Sequence, residues 1–241
     1  METKHGVNVL LAIGLIIVSV VLALNTGKTA TQDVLTVTGF AQETVAPDKA
    51  EIYISVETLE KTANNSQDKN AQISANVLSS LKAMGVKETD IETESYTIFP
   101  KEQWDDKYTE SKIVGYTVVN TIKVTTKDIA NAGKYVDAAV NAGANRIDRV
   151  VFDLTKEKEK QISQDLLAKA GASAKEKADV IAKSLGVTAG KVVTVSEYNY
   201  NVQPYYYANA NTLNVKAEAA DTTISPKNIL ASAYITVSYK I

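Results

Sequence analysis

The chain has 241 residues, of which 45% are hydrophobic and 22% charged; 26 basic and 28 acidic side chains give a net charge of -2, and there is no cysteine. These proportions suit a globular body of one or two domains and exclude a disordered tail or a disulfide scaffold. Balanced charge without a basic run argues against a general nucleic-acid role; the absence of cysteine removes thiol chemistry, and a lone histidine, His5, leaves almost no room for His-based catalysis or His metal clusters.

Val7 to Leu24 is an apolar run interrupted by Asn8 and Ser19, with Lys4 ahead of it. At about 1.5 Å per residue it spans roughly 27 Å as a helix, close to the thickness of a bilayer core. Two readings stand: an N-terminal hydrophobic helix that anchors the chain in a membrane, or a signal peptide cleaved near Val21-Leu22-Ala23. Both place the body outside the cytoplasm, either on a cell membrane or secreted into the periplasm. Residues 1–28 are therefore expected as the anchor or signal segment, 29–33 as linker, and 34–241 as the folded body.

Val34–Phe40 and Ala50–Leu59 alternate β-branched and polar residues around Pro47-Asp48, which predicts an antiparallel pair of strands. Thr62–Met84 reads as a one-sided helix through Ile73, Val77, Leu81 and Met84, closed by Gly85. Ile91–Phe99 and Ile113–Thr125 read as a long hairpin, Asp128–Ala142 as a short helix ended by Gly143, and Arg146–Leu154 as a strand. Lys156–Leu185 is a long helix whose seam is expected to run through Ile162, Leu166, Ala170, Ala174, Ile181 and Leu185, with an alanine-rich middle suited to close packing. Lys191–Val202 and Ile229–Ile241 complete the chain as strands.

The helix end Leu81-Lys82-Ala83-Met84-Gly85-Val86 is echoed by Ala182-Lys183-Ser184-Leu185-Gly186-Val187, and Pro100 by Pro204. This points to an internal repeat. The expected fold is α+β: two related strand-helix-strand-strand lobes, about 34–127 and 145–241, with antiparallel or mixed sheets and long helices packed on them.

Pro47-Asp48-Lys49-Ala50-Glu51-Ile52, Asp90-Ile91-Glu92-Thr93, Tyr96-Thr97-Ile98-Phe99-Pro100, Gly115-Tyr116, Ala142-Gly143-Ala144 and Val151-Phe152-Asp153 occur in this order. Together they resemble the SIMPL-domain family, long held as a domain of unknown function and including exported bacterial immunogenic proteins. The resemblance covers about Val34 to Ile241. It implies a secreted or membrane-anchored protein without an established catalytic site, of a kind that forms ring or channel-like homo-oligomers and is linked to envelope stress tolerance.

No residue pattern marks a catalytic, cofactor or metal site. Ser66-Gln67-Asp68-Lys69 satisfies S-x-x-K but lacks its partner motifs, and is expected on a solvated helix face. Asp105, Asp106 and Glu110 lack the calcium-loop pattern. Glu51, Glu57 and Glu60 are scattered along exposed strand positions, with no pair marked for acid/base work.

Five of the twelve tyrosines fall between Tyr198 and Tyr207. Tyrosine joins a large apolar ring to a hydrogen-bonding tip, which suits a contact that is part dry and part wet. Tyr198, Tyr200, Tyr205, Tyr206 and Tyr207, with Trp104 in the corresponding loop of the first half, are the candidate interface. The preferred expectation is a self-assembling, non-enzymatic envelope module with structural or stress-protective duty, a homo-oligomer held at the membrane through Val7 to Leu24. The alternative is an envelope binding protein that takes a glycan or peptide in an inter-lobe cleft or on the tyrosine-rich loop.

Overall fold

The computed structural model describes residues 33–104, 110–203, 205–207 and 222–241. Among these residues eight strands and three α-helices follow in chain order: β1 Val34–Val45, β2 Lys49–Glu60, α1 Ala63–Ala83, β3 Ile91–Trp104, β4 Ser111–Thr126, α2 Ala132–Asn141, β5 Arg146–Asp153, α3 Lys156–Ser184, β6 Val192–Gln203, β7 Tyr205–Tyr207 and β8 Ile229–Lys240. They form two antiparallel sheets, one of three strands ordered β1-β8-β6 and one of five ordered β3-β4-β2-β5-β7. The α+β class and the β3–β4 hairpin agree with the sequence; the latter pairs from Ile91 opposite Val124 to Trp104 opposite Ser111, with register shifts between Thr93 and Ser95 and between Lys101 and Glu102. Among the described residues no helix is long and apolar enough to cross a membrane. Val7 to Leu24 lies outside the described residues.

The expected β1–β2 pair does not form. β1 pairs with β8 along its whole length, and β2 lies between β4 and β5. The physical reason sits in the connection. Pro47 has no N–H for a ladder, and Asp48 is drawn to the start of α3, where its carboxylate accepts from the Thr155 N–H at 2.6 Å and the Thr155 hydroxyl at 2.8 Å. The chain thus leaves one sheet and enters the other within three residues. Strand partners cross the midpoint of the chain: β1 joins the last strand, and β5 joins the sheet that holds β2, β3 and β4.

The main core lies between the five-stranded sheet and α1 with α2. Ala50, Ile52, Ile54 and Val56 alternate along β2 and meet Val77, Leu81, Val136 and Phe152, all buried. α1 begins at Thr62, whose hydroxyl accepts from the Asn65 N–H, and ends at Gly85 with φ 91°. Its apolar periodicity describes only its second half, for the buried face of the first half is Ser66, Asn70 and Ser74. Asn70 donates to the carbonyls of Val56 at 2.8 Å and Val118 at 3.3 Å, and accepts from Ser74. Hydrogen bonds to sheet carbonyls replace apolar contact there, a substitution that hydropathy does not register.

α3 covers the three-stranded sheet. Ile162 and Leu166 join Ile229, Ala231 and Ala233 in one cluster; Ala174 and Ala178 join Val37, Val237 and Tyr239 in a second. The helix comes so close that a Cβ on Gly39 would collide with the backbone of Ala170 and Ala174. The seam holds from Ile162 to Ala174 but then continues through Ala178 and Ala182, each 0–1% exposed, while Ile181 is 37% and Leu185 66% exposed. The correction follows from period: a row stepping by four residues from Ala170 reaches 178 and 182, and turns 181 and 185 away from the sheet.

Candidate functional site

Among the described residues α1 and α2 are the helices packed on the five-stranded sheet, and the candidate site lies on its other face. Alternation sends Tyr53, Ser55 and Glu57 of β2 and Thr117, Val119 and Thr121 of β4 to this side, opposite the core residues. β5 adds more than its share. The ladder slips between Tyr53 opposite Arg149 and Ile54 opposite Ile147, leaving Asp148 as the extra residue of a bulge. Arg146, Asp148 and Arg149 therefore all reach one groove of about 640 Å³, whose other wall is Ser95, Thr97, Phe99 and Lys101 of β3.

Beneath the groove lies a saturated polar network. Ser55 donates to Asp148 Oδ2 at 2.7 Å; since its one proton is spent, it accepts from Thr121, also at 2.7 Å. Arg146 donates from Nε to Asp148 Oδ1 at 2.6 Å and from a terminal nitrogen to Glu57 at 3.0 Å. Asn145 fixes Glu57 in turn, accepting its N–H at 2.9 Å and donating to its carbonyl at 2.7 Å. Arg149 lies 3.6 Å from the centroid of the Tyr53 ring. These are the only two arginines in the chain. The planar fork of arginine matches carboxylates in two-point contacts that lysine cannot make, so the arginine count was the sequence signal for this site, unread among 26 basic residues.

Ser55 is fully buried and its hydroxyl is engaged on both sides, so the Ser55–Asp148 contact presents no exposed nucleophile. The groove is lined by the Arg146 and Arg149 guanidinium groups, Lys101, the carboxylates of Glu57 and Asp148, a row of hydroxyls and one exposed aromatic ring, Phe99. At the start of β2 Lys49 is paired with Glu51 at 3.0 Å and Asp153 at 3.3 Å. Burial opposes the charge of both Lys49 and Glu51, yet their mutual pairing outweighs it, holding Lys49 above and Glu51 below their ordinary values.

The sequence candidates fall elsewhere. Trp104, 53% exposed, ends β3, the edge strand. Tyr200 is turned inward: it packs against the cluster that Leu166 and Ile229 belong to, donates to the Glu159 carbonyl at 3.1 Å, and burial followed by nearby carboxylates raises its phenol pKa. Tyr205, Tyr206 and Tyr207 form β7 and pair through their backbone with Phe152, Val151 and Val150, so this segment is a sheet edge rather than a loop. Tyr198 lies within β6. Ser66 of the S-x-x-K match is buried, not solvated; its hydroxyl donates to the Thr58 carbonyl while Lys69 pairs with Glu60. Glu57 pairs with Arg146. Asp105 and Asp106 lie outside the described residues, among which no cluster of three potential metal ligands occurs.

The sequence is 30% identical over 193 residues to the 26 kDa periplasmic immunogenic protein of Brucella melitensis, covering 79% of this chain and 76% of that one. The protein of the same name from Brucella abortus matches equally, and an uncharacterized protein YggE of Edwardsiella ictaluri is 28% identical over 189 residues, 76% of this chain and 77% of its own. The family model SIMPL, described as a protein of unknown function (DUF541), matches residues 35–239, from the first residues of β1 to the end of β8. On this match, the chain belongs to the SIMPL family.

Proposed function

We propose that this protein is an extracytoplasmic module that self-associates at the cell envelope and performs a structural or protective task without catalysing a reaction. Relatives named as periplasmic support the compartment. The observation that carries the assembly reading is the β3 edge. β3 is 14 residues long, pairs among the described residues only with β4, and exposes Tyr96, Ile98, Phe99 and Trp104 beside Ile113 and Val114 of its hairpin partner. A long apolar edge with unused backbone donors and acceptors is a template for another strand.

The test is the absolute mass of residues 31–241 by light scattering over a concentration series. A discrete oligomer that dissociates in the Ile98→Lys/Trp104→Ser variant supports the reading; a monomer at every concentration refutes assembly by the body. A second reading draws on the groove. Its paired arginines, hydroxyl row and Phe99 ring suit a polar ligand such as a glycan or an acidic peptide. It predicts array binding that is lost in Arg146→Gln/Arg149→Gln, and array binding that survives this change rejects it.

A further inference from the structure

The three-stranded lobe gathers its chain crossings at one end. The Gly190 N–H donates to the Lys240 carbonyl at 2.7 Å, the Lys240 N–H to Lys191 at 2.9 Å, and the Ile241 N–H to Asp33 at 3.0 Å. Val187 N–H closes the end of α3 onto Ala182 at 2.9 Å, and Ala189 and Leu35 both pack against the cluster that holds Val37 and Tyr239. The start of β1, the end of α3, the start of β6 and the end of β8 are therefore neighbours.

This end is apolar where a soluble surface is usually polar. Leu185 is 66%, Val192 52%, Val34 41% and Val187 40% exposed. Leu185 is a residue that helical periodicity placed in the core, yet the seam turns it outward. Around these side chains stand Lys183, Lys191 and Lys240, all exposed and none in an ion pair among the described residues, with Asp33 as the acidic neighbour. Into this same end runs the chain from Leu24, the last residue of the apolar segment, to Asp33. The eight residues between them reach at most about 30 Å when fully extended.

We propose that this end of the three-stranded lobe is a membrane-contact surface, seating Leu185, Val187, Val192 and Val34 at the headgroup boundary of a bilayer while Lys183, Lys191 and Lys240 meet anionic lipid. The inference rests on the anchor reading of Val7 to Leu24. Apolar residues ringed by lysines match the interfacial layer, where apolar burial and lysine attraction act together. The short tether holds this end, and not the β3–β4 hairpin, nearest the bilayer.

The cysteine-free chain permits unique labels. The full chain is reconstituted into vesicles of phosphatidylethanolamine and phosphatidylglycerol with an environment-sensitive fluorophore at Leu185→Cys, Val192→Cys or, as a remote control, Ser111→Cys. Flotation with the vesicles, with blue-shifted emission and quenching by brominated lipid at 185 and 192 but not at 111, is the expected result. Each Lys→Gln change at 183, 191 or 240 weakens the contact about fivefold at low salt, equivalent to about 1 kcal/mol. Flotation without any response at 185 and 192 overturns the contact and leaves the anchor reading intact. Failure to float overturns both. A blue shift that grows with protein concentration in the absence of vesicles means that a second copy covers this end, and also overturns the proposal.

Discussion

Replacing Gly39 by alanine probes the close seating of α3 on β1. The added Cβ would meet the Ala170 carbonyl and the Ala174 nitrogen. Both are backbone atoms of α3, so no rotamer change relieves the collision and the helix must lift from β1. Lifting opens the contacts of Ala174 and Ala178 with Val37 and Val237 and stretches the Lys177 bond to the Thr38 carbonyl, now 2.9 Å. Overpacking costs about 1–3 kcal/mol, and a backbone clash belongs at the upper end. At about 2–4 °C per kcal/mol for a body of this size, about 3 kcal/mol lowers the Tm by about 6–12 °C. Gly171→Ala is the matched control: it lies in the same helix with nothing within 4 Å of its added Cβ. It gains helix propensity, about 0.5–1 kcal/mol, and raises the Tm by about 1–4 °C. Thermal unfolding followed by circular dichroism reads both. Equal Tm values for Gly39→Ala and the parent would refute the close seating of α3 on β1.

Asn70→Ala leaves the Val56 and Val118 carbonyls without their side-chain donor and is expected to cost about 1–3 kcal/mol in urea denaturation; a loss below about 0.5 kcal/mol would mean that these carbonyls need no such donor. Lys49→Met removes the partner that lowers Glu51 and is itself raised. Glu51 contributes stability above its ordinary carboxylate range and loses it as acid titrates the folded state; Lys49 contributes below its ordinary range and loses it in strong base. The Tm gap between parent and variant is therefore widest near neutral pH and narrows at both extremes, and a gap independent of pH would count against the pairing. Tyr205→Ser/Tyr206→Ser/Tyr207→Ser keeps the backbone pairing of β7 with β5, so circular dichroism should be unchanged while the oligomer mass by light scattering falls. An unchanged mass removes the tyrosines from the interface.

The elements were legible in the sequence because their signals are local. Thr62 and Gly85 bound α1, Gly143 follows α2, Gly186 ends α3, and β-branched alternation marks β2 and β4. The family was legible too, through short motifs in fixed order between Val34 and Ile241. Partner choice was not. Whether β1 pairs with β2 or with β8, some 200 residues away, turns on Pro47 leaving the ladder and Asp48 engaging Thr155, a competition between distant groups that no local window contains. The groove escaped for the same reason. Ser55, Thr121, Arg146 and Asp148 come from three strands, and a bulge visible only in the register brings Asp148 and Arg149 to one face. Periodicity said which residues a helix could bury. Only the packing partner decided that α3 buries Ala178 and Ala182 and leaves Leu185 in the open, because a helix face is chosen by the surface it meets.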